Sequence, residues 1–120
     1  MAKLQTFGEY VRYKRESLAK SDRAYSVRQV AGRVGLEPSY LSKIERGEQP
    51  PPGEDKICRL AKDLGDNPDL LLAMAGKVSS DVLNTIRARP MLFAELLREL
   101  KTRPDKTVQR LVREVRDGEW

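Results

Sequence analysis

The stretch SVRQVAGRVGLEPSYLSKIERGE, Ser26 to Glu48, decides the fold. It holds two short helical patterns separated by a Gly-Leu step. Ser26-x-x-Gln29 reads as a capping box that opens the first pattern, and Gly35 ends it. Val27, Val30, Ala31 and Val34 make its inner stripe. Ala31 is small enough to let another helix cross close by. Gly35 can take the positive φ that a tight turn after a helix needs, and Leu36 tucks that turn into the core. The second pattern opens on Pro38, where the missing N–H costs nothing, and stops at Gly47. At about 100° per residue, Leu41 and Ile44 point together toward a core, while Ser39, Ser42, Lys43 and Arg46 fall nearest the opposite side. That outer face is small, hydrogen-bonding and basic, so it can approach a polyanion closely. The helix start adds backbone N–H groups and a positive dipole end, which suit phosphate.

The flanking sequence continues the helical punctuation. Thr6-x-x-Glu9 reads as a capping box opening a helix to about Leu18, with Phe7, Val11 and Leu18 inward. GEQPPPG (47–53) is a stiff connector, and EDKICRLAKDLG follows with Ile57, Leu60, Ala61 and Leu64 at helical spacing. Asn67-Pro68 opens a fifth helix that Gly76 closes. No period-2 run or hairpin turn predicts a strand. Five short helices therefore fit residues 1–77, and a helix, short turn and second helix with a free outer face is the helix-turn-helix arrangement.

Ala31, Gly35, Leu36, Leu41, Ile44 and the run YLSKIERG (Tyr40–Gly47) resemble the Cro/CI-type, or XRE-family, helix-turn-helix regulators. The likeness extends along residues 1–77, including the Pro-rich connector and RLAKDLG. The resemblance implies an all-α fold: a five-helix Cro/CI-like domain, here with a C-terminal helical extension. It also implies a sequence-specific DNA-binding regulator, usually a repressor, acting as a dimer on a near-palindromic operator. Family base contacts fall on Pro38, Ser39 and Lys43, with Ser42 nearby. Phosphate contacts fall at Val27 and Arg28 and at Arg46. Two positions depart from the family habit. Glu37 stands where many members cap the recognition helix with Ser or Thr, and its carboxylate could accept from cytosine N4. Pro38 has no side-chain donor where many relatives carry a reader. Lys43 has the best geometry for guanine O6 and N7, and DNA shape can carry part of the specificity.

Residues 78–120 read differently. SSDVLNTIRAR ends before Pro90; PMLFAELLRELK follows, with Leu92, Phe93, Leu96, Leu97 and Leu100 on one face. After Pro104, DKTVQRLVREVRD carries Val108, Leu111, Val112 and Val115 on a face. Two readings stay open: the stripes pack on the five-helix core, or they bury against a second copy. The expected division is thus a DNA-binding domain over 1–77 and a helical extension over 78–120 that serves dimerisation.

Composition narrows the function. Net charge is +5 over 120 residues. Residues 1–50 hold ten Lys/Arg against six Asp/Glu, so most of the excess sits there and favours a nucleic-acid partner. There is no histidine and a single cysteine, Cys58, which reads as core packing. This excludes an internal disulfide framework and a Cys/His zinc site, and removes the commonest general base. No catalytic or cofactor motif appears, so neither an enzyme nor a cofactor is expected. No apolar run is long enough to span a bilayer, and the N-terminal stretch lacks a signal-peptide pattern, so no membrane partner and a cytoplasmic location are expected. Glu45 reads as a salt bridge within the domain; Tyr10, Tyr13 and Tyr25 as packing; Arg12, Lys14 and Arg15 as solvated charge or a backbone contact. The competing function is an antitoxin or adaptor whose C-terminal helices bind a partner protein, with DNA binding for autoregulation. A self-cleaving repressor is not expected, because the 43 residues after Lys77 are too few for a peptidase domain.

Overall fold

The computed structural model describes residues 5–120, and among them there is no strand. The helices are α1 (Phe7–Ala19), α2 (Val27–Val34), α3 (Pro38–Glu45), α4 (Glu54–Leu64), α5 (Pro68–Met74), α6 (Ser80–Ala88), α7 (Pro90–Leu100) and α8 (Asp105–Asp117), with a short 3-10 turn at Arg23–Tyr25. The fold is all-α. The chain forms two compact units, Met1–Ser79 and Ser80–Trp120.

In the first unit, α1 and α2 both pack on α3, α2 packs on α4, and α4 pairs with α5. The core takes Phe7 and Val11 from α1, Val30, Ala31 and Val34 from α2, and Leu41 and Ile44 from α3. Ile57, Leu60, Ala61 and Leu64 of α4 and Leu71 and Leu72 of α5 complete it. Leu41 and Ile44 hold the short α3 in place; burying each is worth about 1.5–3 kcal/mol. Cys58 is half-buried against the same cluster.

The punctuation acts through the backbone. Thr6 and Glu9 close a complete capping box on α1. Gly35 has φ 86°, and its N–H reaches the Ala31 carbonyl at 2.9 Å. The box at Ser26 is only half formed: Ser26 Oγ accepts from the Gln29 N–H at 3.2 Å. The Ser26 N–H instead donates to the Arg23 carbonyl at 3.2 Å, because the unforeseen 3-10 turn delivers that acceptor first.

Two expectations fail on α1. Arg15 is buried rather than solvated, because it faces an acid on α3. Tyr13 is 63% exposed, because it lies about 200° around the helix from buried Val11. Tyr10 and Tyr25 do pack against the core. The Tyr10 hydroxyl donates to Asp66 Oδ2 at 2.9 Å, and burial, followed by that carboxylate, pushes its pKa up.

In the second unit α6 packs on α7. None of the three helices carries a buried residue. Leu92, Leu96, Leu97, Val112 and Val115 are exposed, while Phe93, Leu100, Val108 and Leu111 are half-buried. An apolar cavity of about 350 Å³ lies between Val82, Ile86, Phe93, Leu96 and Leu97.

Candidate nucleic-acid interface

The outer face of α3 is built from the helix's start. Glu37 caps α3 by backbone only, with no side-chain cap bond, and Pro38 fills the first helical position. The first N–H groups of α3 therefore keep no side-chain acceptor, and the positive end of the helix dipole stays uncovered. Glu37, Pro38, Ser39 and Lys43 are all exposed. The Lys43 ammonium has no hydrogen-bond or ion-pair partner among the described residues. Ser42, expected outward, is half-buried, because the Arg46 guanidinium donates to its hydroxyl at 2.7 Å.

Arg46 is exposed and forked onto Glu48, Nε to Oε1 at 3.2 Å and Nη2 to Oε2 at 3.0 Å. The hydrogen bonds to Glu48 raise the Arg46 pKa, and the same bonds lower that of Glu48. Gly47, at φ 76°, turns the chain back so that an acid two residues on can reach the arginine.

The structure brings separate sequence positions together. Val27, at the start of α2, lines a cavity of about 200 Å³ with Ser42 and Arg46 from the other side. Arg12 and Arg15 of α1 and Glu45 of α3 complete it. Arg28 is exposed one residue further along α2. Arg15 and Glu45 neutralise each other there, which leaves Arg12 and Arg46 as the cationic rim. Arg12 itself pairs with Glu16 one turn on, and that hydrogen bond lowers the Glu16 pKa. The first turn of α2 forms one wall of this concavity. Glu48 was not singled out by sequence, and Arg12 was read only as one of a basic cluster with Lys14 and Arg15. Arg12 lies on a different helix from the motif, and the only signal for Glu48 was its acid charge just past the helix end.

α3 is aimed by contacts on its inner side. Arg15 donates from Nε and Nη2 to the two Glu45 oxygens, and from Nη1 to the Tyr25 carbonyl at 3.2 Å. Hydrogen bonding to Glu45 raises the Arg15 pKa. Arg33 ties α2 to α4 through a fork onto Asp63, at 2.7 and 3.0 Å, and lies 5.3 Å from the centre of the Tyr25 ring. The turn between α2 and α3 is thus fixed on both sides.

A larger cavity, about 660 Å³, opens between Thr6–Gly8, Gly47–Pro51 and Met74–Gly76. Among the described residues Glu48 is the only charged one lining it, so they supply none of the positive charge a polyanion site needs. Among the described residues no Cys/Asp/Glu cluster is placed to hold a metal ion, and no helix is long and apolar enough to cross a membrane.

A helix-turn-helix domain family model matches residues 7–73, from the start of α1 to within a residue of the end of α5. No curated protein and no solved structure matches the chain.

Proposed function

The chain belongs to the helix-turn-helix domain family, and on that premise we propose that it is a sequence-specific transcriptional regulator of the Cro/CI type. It acts as a repressor and binds a near-palindromic operator as a homodimer, with α3 in the major groove. The observation that carries this reading is the outer face of α3, where Ser39 and Lys43 stand exposed beside a helix start with no side-chain cap. Lys43 reads guanine O6 and N7, Ser39 and Ser42 face either base type, and Glu37 and Pro38 lie at the entry to the groove. Val27 and Arg28 at the start of α2, and Arg46 past α3, hold phosphates on either side and set the register.

Dimerisation belongs to residues 78–120. Leu92, Phe93, Leu96, Leu97 and Leu100 of α7, and Val108, Leu111, Val112 and Val115 of α8, supply the apolar face. The exposure of Leu92, Leu96, Leu97, Val112 and Val115 supports this, since soluble monomers rarely leave such surface uncovered. A two-fold particle also suits a palindromic site. The same faces favour one alternative, an antitoxin or adaptor that covers them with a different protein.

Selection of bound sequences from random duplex DNA tests the reading. The expected result is a palindromic consensus with half-sites about one helical turn apart. A consensus without symmetry removes the dimeric operator, and no enrichment at all removes sequence-specific binding.

A further inference from the structure

We infer that Glu48 is a positioning residue for Arg46, holding its guanidinium so that two of its N–H groups face a DNA phosphate; this rests on the DNA-binding reading above. A guanidinium carries five N–H donors. Arg46 spends three of them: Nε and one N–H of Nη2 on Glu48, and one N–H of Nη1 on Ser42. The two that remain are one on each terminal nitrogen. Both are left for an acceptor outside the domain, and a phosphate is one that takes two N–H groups of a guanidinium.

The backbone makes the arrangement local and rigid. The Gly47 N–H donates to the Ile44 carbonyl at 3.0 Å, and the Glu48 N–H to the Lys43 carbonyl at 2.9 Å. This closes the end of α3 and returns Glu48 alongside Arg46. A long side chain that is already ordered loses less rotamer freedom when it binds. Glu48 also places a negative charge near the phosphate, and that acts in the opposite direction. That carboxylate lies within a Debye length of any phosphate held by the same guanidinium, so salt screens it only in part. Under the inference, ordering the guanidinium outweighs this repulsion, and the titration decides between the two.

Because a phosphate contact is independent of sequence, the test needs no operator. The full-length chain, Glu48→Ala, Arg46→Ala and the double variant are titrated with a labelled mixed-sequence DNA duplex over a range of salt. Both side chains are exposed, so all four proteins should fold, which circular dichroism and thermal melting check. Glu48→Ala should weaken binding about threefold or more and lower the salt slope by about one, as Arg46→Ala does. In the Arg46→Ala background the Glu48 substitution should change binding by less than about twofold, since its effect runs through Arg46. Equal or tighter binding by Glu48→Ala, with an unchanged or steeper slope, would show repulsion alone and overturn the inference. So would the same change in both backgrounds. Failure of the unaltered protein to bind the duplex removes the DNA-binding reading and the inference with it.

Discussion

Arg15 of α1 and Glu45 of α3 meet inside the DNA-binding domain, thirty positions apart in sequence, with Nε–Oε2 at 2.7 Å and Nη2–Oε1 at 2.8 Å. Their side chains are 9% and 4% exposed, so the pair is desolvated and its geometry carries the compensation. It fixes α3 to α1 at the residue where α3 ends. Glu45→Ala leaves a buried guanidinium without its acid and should cost about 3–5 kcal/mol in urea unfolding. Replacing both by Met and Leu should be much milder. A double variant as unstable as Glu45→Ala would mean that the pair itself, not the orphaned charge, supplies the stability.

Gly8 sits where α1 touches the end of α3. A Cβ there would collide with the Ile44 carbonyl oxygen, which is backbone and cannot step aside cheaply. Gly8→Ala should destabilise by about 1–3 kcal/mol despite alanine's better helix propensity. It should also weaken DNA binding, because α3 has to shift. Calorimetric melting that rises in this variant would show that the helices have room to part.

Gly35 turns the chain between α2 and α3 at φ 86°. Gly35→Val should cost well over ~1 kcal/mol, since a β-branched residue is an outlier at that angle. Gly35→Asn, which tolerates the left-handed region better, should lose less. Equal melting temperatures for the two variants would argue against backbone strain as the cause.

Lys43 is exposed on α3 and makes no hydrogen bond or close ion pair among the described residues. Lys43→Ala should cost about 1–3 kcal/mol on the selected site and relax preference at one base pair per half-site. Equal losses on selected and mixed-sequence duplexes would identify a phosphate contact instead.

A fragment ending at Lys77 keeps α1 to α5 and every buried core residue among those described, so it should fold. It should sediment as a monomer and bind a full operator about 100-fold more weakly, because the second half-site contact is no longer intramolecular. A fragment that dimerises and binds like the full chain would move the dimer contact into residues 1–77. The faces of α7 and α8 would then serve another protein.

The sequence by itself determined the helices and the outer face of α3. Caps, prolines and helical spacing act within a turn or two of the chain, so each is written where it acts. Gly35 and the half-turn from Leu41 to Ser39 and Lys43 were legible for that reason. The acid role of Glu45 was legible too, but not its partner. Only the tertiary structure decided which distant groups meet: Arg15 with Glu45, Arg33 with Asp63, Gly8 with the Ile44 carbonyl, and Val27 with Arg46 around one cavity. Those meetings depend on the angle at which helices cross, which close packing of the whole core sets and no local run of residues encodes.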